Sequence, residues 1–393
     1  MIERVGITWQ LSDVSGWGVF GWNLVVELIK RGKPLPLLLV PPDIENPPAN
    51  LQGILDTLGR EQAELDNMRS INPGRIATLD GAAVLHHLGN DLSLSKVSES
   101  FRGSVNAGFV FLESTHINPA NLDKVAKLDR VLAGSSWNGE VLRSLGLENV
   151  EVLLQGIDPS LFHPPDEGAD NASDRFTIFS GGKLEYRKGQ DIVLAAFRAF
   201  RERHADARLM TLWQNPWPQT SETLALSPHI SSLPGTGPTG QLDLAAWAAS
   251  QGLPEGSFDD LGFVPNARLP DVLHQADVAV FPNRCEGGTN LVAMECLACG
   301  VPTVLSANTG HLDLITDDTC YPLRDQTPVA SDGGTDGWGE SSVDELVEVL
   351  EDMYQNREQA RRRGRAAAEW MLQLTWERQT GKILNALGWE AKT

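Results

Sequence analysis

The sequence predicts an α/β protein of two domains, each a largely parallel sheet covered by helices. Three observations carry this. Short apolar runs alternate with stretches of helical apolar spacing along the chain, and a βα alternation builds parallel sheets. Both halves open in the same way, with a strand, a glycine-bearing turn and a helix. Between them, Phe162 to Arg175 is rich in proline, acid and small polar residues and lacks periodicity, so it reads as a linker.

In the first half, Val5 to Trp9 is a short strand, Ser12 to Gly18 a turn, and Phe20 to Lys30 a helix with Leu24, Val25, Leu28 and Ile29 on one face. Gly32 stops that helix, and Leu35 to Val40 is a buried-type strand. Further strands are expected at Ala83 to His86, Phe109 to Leu112, Arg130 to Ala133 and Val150 to Leu154. The second half restarts with strand Phe176 to Ser180, a turn at Gly181 and Gly182, helix Gly189 to Arg203 and strand Arg208 to Trp213. Strands at Val278 to Phe281 and Val301 to Ser306 flank a helix over Leu291 to Cys299. Arg324 to Ser341 reads as a loop, and Val343 to Trp389 as mostly helix. The expected divisions are 1–165, 166–365 and a helical tail, 366–393, packing back on the first domain.

Composition narrows the function. With 393 residues, the chain is long for one core and comfortable for two. A formal charge of -20 is the wrong sign for a general polyanion binder, so nucleic acid is not an expected partner. A small phosphorylated ligand stays open, because a few amides and lysines suffice to hold one. Cys296 and Cys299 have a CxxC-like spacing, but no second pair completes a metal site. They read as structural thiols in an apolar helix. No run is long and apolar enough to span a membrane, and the start, MIERVGITWQ, has no signal-peptide core. A cytoplasmic location is expected, with room for a peripheral membrane contact. The run Arg361, Arg362, Arg363 and Arg365 reads as a solvated helix face rather than an anion site.

The segments with chemistry suit a nucleotide diphosphate. In GGKLEYRKG, Gly181 to Gly189, glycines allow close backbone approach. Lys183 and Lys188, five apart, can converge on one anion, with Arg187 as a further donor. The alternative is an ordinary βα turn with exposed lysines. In PNRCEGGTNLVAMECLACGVP, the turn Gly287, Gly288, Thr289 and Asn290 would offer amides and a hydroxyl at a helix start. Asn290 would cap the helix or touch ligand. Glu295 lies inside that apolar helix, and a buried carboxylate needs partners. Ribose hydroxyls would serve, as would a backbone amide or an arginine. Glu286, on the loop before, would reach sugar hydroxyls or face solvent.

At the start of the chain, Gly16, Gly18 and Gly21 give GxGxxG. The turn is longer than in the dinucleotide fingerprint and Asp43 falls late among prolines, which leaves a dehydrogenase as a minor reading. Glu113 and His116 follow a strand end, as do His86 and His87. That is where parallel sheets bind ligands. Either Glu113 or His116 would orient a hydroxyl or handle a proton.

Together these segments resemble the retaining glycosyltransferases of family 4, which have the GT-B fold. The resemblance covers most of the chain. It implies two Rossmann-like domains facing each other across a cleft, the first on the acceptor side and the second on the donor side. The family's glycine-rich N-terminal loop corresponds to Gly16 and Gly18. Its Gly-Ile-Asp phrase appears as QGIDPSLFHP, and its strand-glycine-arginine then Lys-Gly pattern as GGKLEYRKG. Lys183 stands where the family has its phosphate-binding arginine and loses the bidentate fork; Lys188 matches the lysine. The family spaces its two glutamates eight apart as a rule, whereas Glu286 and Glu295 are nine apart. Glu295 matches the ribose-binding glutamate and Glu286 the sugar-contacting one. His116 matches the family's first-domain histidine, with Glu113 as rival.

The function implied is transfer of a sugar, with retained configuration, from a UDP- or GDP-sugar to a glycan, lipid-linked, protein or small-molecule acceptor, without metal or other cofactor. Lys183, Lys188 and loop amides would stabilise the leaving phosphates. Alternatives on the same fold are a non-catalytic nucleotide-sugar-binding protein, and an epimerase or phosphorylase. The oligomeric state is not encoded in any of these motifs.

Overall fold

The computed structural model describes residues 2–44, 47–71, 74–166, 174–331 and 333–389. The middle of the expected linker, 167–173, lies outside the described residues. Two compact units are present: the chain up to Gly156 together with the residues from Leu374 onward, and Ile157–Gln373.

The first unit runs β1 (Arg4–Ile7), α1 (Gly16–Arg31), β2 (Leu35–Leu38), α2 (Ala49–Ile71), β3 (Ala77–His87), α3 (Lys96–Ser100), β4 (Phe101–Val110), α4 (Pro119–Val125), β5 (Arg130–Ala133), α5 (Ser136–Ser144) and β6 (Val150–Val152). Its six strands pair in parallel in the order β2-β1-β3-β4-β5-β6. Helix α1 begins at Ser15, whose hydroxyl accepts from Gly18 N, and so satisfies one free amide of the first turn. It ends at Gly32, a left-handed residue that bonds back to Leu28 and Ile29.

The second unit runs β7 (Phe176–Gly181), α6 (Gln190–Arg203), β8 (Ala207–Leu212), α7 (Leu244–Ser250), β9 (Phe258–Asp260), α8 (Leu269–Leu273), β10 (Val278–Phe281), α9 (Leu291–Ala298), β11 (Thr303–Ser306), β12 (Tyr321–Leu323), β13 (Gln326–Pro328), β14 (Gly339–Ser341), α10 (Val343–Gln355) and α11 (Arg357–Met371). A last helix, α12 (Trp376–Ala386), belongs to the first unit. There Trp376 meets the Phe20 ring with centroids 5.8 Å apart, and Arg31 donates to the Glu377 carbonyl.

The second sheet is again parallel, in the order β12-β11-β10-β7-β8-β9. Counted within the unit, this is the doubly wound order of dinucleotide-binding domains. Both units are therefore Rossmann-like, as the βα alternation predicts, and the architecture is that of the GT-B fold. The second core closes around Phe176, Ile178, Phe197, Phe200, Trp213 and Val280.

Three local expectations are corrected. Helix α2 is absent from the expectations above, although Leu51, Leu55, Leu58 and Leu65 recur at helical spacing; buried Gln62 interrupts that stripe and the rest of the helix is polar. Strand β4 starts at Phe101 rather than Phe109, over a stretch of glycine and polar residues that carries no strand signal. The segment from Arg324 to Ser341 is not all loop: β13 and β14 form an antiparallel pair within it. Three-residue polar strands fall below what alternation can show.

Candidate functional site

In the second sheet the chain winds from β7 outward to β9, then returns to β10 beside β7 and winds the other way. The loops that leave β7 and β10 therefore part at their carboxyl ends, the position where open α/β sheets hold ligands. These two loops are GGKLEYRKG and PNRCEGGTN.

The first is a shaped turn. Gly182 has φ 113°, and the Lys188 stem lies 3.8 Å from where its Cβ would stand. Gln190 ties the turn by donating to the Gly182 and Lys183 carbonyls at 3.1 and 3.0 Å. A 3-10 turn over Tyr186–Lys188 leads into Gly189, with φ 68°, where a Cβ would sit 2.1 Å from the Pro282 carbonyl oxygen. Only glycine lets α6 start this close to the β10 loop.

The second loop brings its carboxylate to the first. Glu286 is 5% exposed and accepts from Lys188 Nζ at 2.5 Å and from the Asn283 amide, with Arg187 Nη1 3.4 Å away. Burial alone would raise its pKa, but Lys188 and then Arg187 outweigh that and hold it at about 2. The loop thus carries an ionised glutamate locked to the lysine of the phosphate turn.

Glu295, inside α9, has the opposite environment. Burial drives its pKa up to about 8, against a single opposing hydrogen bond from Asn266 Nδ2 at 2.7 Å. One buried acid is charged and the other carries its proton at neutral pH, an arrangement set by the cations beside one of them.

The other expected residues fall as follows. Lys183 Nζ lies 3.3 Å from Glu185, on the same turn as Lys188. Arg187 is not the free donor expected: it is buried and donates to the Cys285 carbonyl at 2.8 Å and to Glu185 at 2.5 Å. Gly287, Gly288 and Thr289 are all buried. The Thr289 hydroxyl, expected among the ligand donors, turns inward to Met294 Sδ at 2.9 Å. Asn290 caps α9 by accepting from Ala293 N, in a left-handed conformation with φ 61°. Glu286, for which solvent was the alternative, is buried.

In the first unit, Gly16 opens α1 in open space, while Gly18 packs so tightly that a Cβ would meet Ser12 Oγ at 2.1 Å. The switch point of this sheet lies between β1 and β3. His87, half-buried at the end of β3, meets the Trp17 ring edge-on at 4.4 Å. His86 is buried beside Asn106, and burial lowers its pKa to about 4. Glu113 and His116 lie beyond β4; Glu113 exchanges hydrogen bonds with Asn90, and His116 is exposed.

Sequence reading missed the support beneath the second-unit loops. Arg284, fully buried, forks onto Asp191 at 2.8 and 2.6 Å and reaches Glu340 of β14 at 2.8 Å. Its guanidinium stacks 3.8 Å over the Tyr186 ring. His229 donates to Glu340 as well, and that contact, with Arg284, holds this carboxyl at about 2. His311 lies buried after β11. The one signal for this support was an arginine two residues before Glu286, in a short polar turn between an apolar strand and an apolar helix.

All four cysteines are free and buried. Burial raises Cys299 to about 12 and lifts Cys296 well above the usual thiol value, so both are inert thiols. Among the described residues no group of three or more His, Cys, Asp or Glu side chains is placed to hold a metal ion. Nor is any described helix long and apolar enough to cross a membrane. Of the arginine run, Arg363 donates to the Cys320 carbonyl and covers the Tyr321 ring, while Arg361, Arg362 and Arg365 are exposed.

Residues 264–383 match the model of a family described as "Family 4 Glycosyltransferase in conflict systems". A GDP-mannose-dependent alpha-(1-6)-phosphatidylinositol dimannoside mannosyltransferase of Mycobacterium tuberculosis is 25% identical over 68% of the chain and 60% of that protein. A D-inositol 3-phosphate glycosyltransferase of Stackebrandtia nassauensis is 27% identical over 67% of the chain and 55% of that protein. The chain thus spans about 55–60% of the length of these curated relatives. Among solved structures, sucrose-phosphate synthase from Thermosynechococcus elongatus superposes with a TM-score of 0.65 at 14% identity, covering 98% of both chains. Anabaena HepE in complex with UDP does so at 0.62 and 13% identity, over 98% of this chain and 100% of that one. The fold is shared with these structures, and the chain is related to family 4 glycosyltransferases.

Proposed function

We propose that the chain is a retaining glycosyltransferase that moves a sugar from a UDP- or GDP-sugar to a glycan, lipid-linked or small-molecule acceptor, without a metal. The observation that carries this is the pairing of the two loops at the switch point of the second sheet. The Lys188–Glu286 pair joins a phosphate-type turn to a helix start, with Glu295 one helical stretch away. The relationship to GDP-mannose-dependent enzymes and the likeness of fold to a UDP-bound protein support the donor class.

In this reading Lys188 and Lys183 take the diphosphate, aided by amides at the start of α9, and stabilise charge on the leaving oxygen. Glu286, ionised at neutral pH, accepts from sugar hydroxyls, and Glu295 from the ribose. The acceptor hydroxyl attacks the anomeric carbon on the face from which the phosphate departs, and its proton leaves with the diphosphate. Glu113 and His116 of the first unit orient the sugar or acceptor.

The test is transfer itself. Purified protein is screened against UDP- and GDP-sugars, and the active donor is run with EDTA and its product read by NMR. Retained anomeric configuration with full activity in EDTA is expected. Inversion, or loss restored by magnesium, overturns the mechanism; absence of nucleoside diphosphate binding overturns the assignment of the site.

Lys188→Ala is expected to weaken binding of the nucleoside diphosphate by about 1.5–3 kcal/mol, the range of a hydrogen bond to a charged group. Titration calorimetry measures it, and an unchanged affinity removes Lys188 from the site.

A further inference from the structure

We propose that His311 is a positioning residue that braces the turn from Glu286 to Asn290 in the shape that receives the donor's diphosphate. The inference rests on the function proposed above and goes beyond it, since no motif in the sequence pointed to this histidine.

His311 belongs to the 3-10 turn Thr309–Asp313 that follows β11. It is fully buried, with Nδ1 2.9 Å from Ser306 Oγ and Nε2 3.1 Å from Asn290 Nδ2. An amide NH2 only donates, so Nε2 must accept and Nδ1 must carry the proton, donating it to Ser306. The Asn290 amide cannot be turned round, because its oxygen accepts from Ala293 N to cap α9. One tautomer of a neutral imidazole satisfies all of these bonds. Burial, opposed by Glu286, lowers the imidazole pKa to about 4 and keeps it neutral.

The same short turn holds the other end of the loop. Thr309 Oγ1 accepts from Glu286 N at 2.8 Å, and Gly310 N donates to the Glu286 carbonyl at 3.0 Å. A Cβ on Gly310 would stand 1.8 Å from the Gly288 carbonyl oxygen, so the two backbones touch. Thr309 and Gly310 thus grip the first residue of the turn, and His311 grips the last. Asn290, at φ 61°, sits in a conformation that costs free energy for a residue with a Cβ. The bond to His311 offsets that cost. The turn also carries the residue that makes the Glu286–Glu295 spacing nine. The brace explains how a longer turn still delivers Glu286 to Lys188.

The experiment compares the wild-type chain with His311→Leu, His311→Gln and Ser306→Ala. Titration calorimetry with UMP, UDP, GMP and GDP gives the gain in affinity from the second phosphate. For the preferred base, His311→Leu should cut that gain about tenfold while changing monophosphate binding less than about twofold, since one pinned bond is removed from the diphosphate loop alone. His311→Gln, whose amide oxygen can accept from Asn290, should restore most of the gain. A role confined to folding would lower melting temperature without moving the ratio of diphosphate to monophosphate affinity. An unchanged ratio in His311→Leu, or no rescue by glutamine, overturns the proposal.

Should His311→Leu fail to fold, Ser306→Ala carries the test. It frees the Nδ1 proton from its partner and should cut the gain about threefold, in keeping with a neutral hydrogen bond. An unchanged gain there overturns the brace equally. Wild-type protein that binds neither diphosphate defeats the reading of the site and the brace with it; wild-type binding with unaffected variants defeats the brace alone.

Discussion

Arg284→Met is expected to cost the second unit about 3–5 kcal/mol of stability, the range for removing one partner of a buried ion pair. Arg284 and Asp191 are both fully excluded from solvent. The guanidinium makes two bonds to Asp191, one to Glu340 and one, at 2.6 Å, to the Tyr186 carbonyl. Methionine matches much of the volume but leaves Asp191 buried with the Ser227 hydroxyl as its remaining donor. An isolated carboxylate in that position is expensive to keep charged and expensive to protonate. Arg284→Lys should recover only part of the loss, because a point charge cannot bridge Asp191 and Glu340 together. The double variant Arg284→Met/Asp191→Leu should recover most of it, since a buried pair replaced whole is close to neutral. Urea unfolding followed by tryptophan fluorescence measures all three. A loss below about 1 kcal/mol for Arg284→Met would place the pair in a wetter setting than its burial describes.

This network also shows where the sequence was legible and where it was not. The strands Arg130–Ala133 and Val278–Phe281 coincide with expectation because buried parallel strands are continuous apolar runs bounded by polar turns. The two loops that meet at Lys188 and Glu286 stood out because glycines beside lysines or a glutamate in a βα turn suit an anion, a pattern that an ordinary turn with exposed lysines shares. What lies beneath them did not. Arg284 takes its partners from positions 93 and 56 residues away in the chain, Asp191 and Glu340. One partner, Glu340, sits in a three-residue strand with no pattern of its own. Arg187 reads as a phosphate donor by type, yet Glu185 and the Cys285 carbonyl occupy it. Residue type announces what a side chain can bind, and long-range pairing decides what it does bind. The same distinction hid His311, whose two partners, Ser306 and Asn290, come from a strand end and a helix cap.

Relative to Glu295→Gln, the stability of the wild-type chain is expected to fall by about 4 kcal/mol between pH 5 and pH 9. The direction follows from the raised acid. Burial lifts the Glu295 carboxyl from its ordinary 4.5 to about 8, with Asn266 offsetting only part of the effect. Between those two values the folded chain keeps a proton that the unfolded chain has lost. The native state is therefore favoured below about 4.5, and this advantage is lost as pH rises through about 8. Glutamine keeps the shape and cannot titrate, so subtracting its curve removes the contribution of every other group. At pH 5 the two chains should differ little, because a protonated glutamic acid and a glutamine present similar groups to Asn266. At pH 9 the wild type bears a buried carboxylate with one neutral donor, and the variant does not. Urea midpoints at half-unit steps of pH give the comparison directly. Parallel curves for the two chains from pH 6 to pH 9 would show that Glu295 is ionised throughout in the folded state. It would then have stronger partners than Asn266, and the ribose would meet a committed carboxylate rather than one able to change its proton with the ligand it binds.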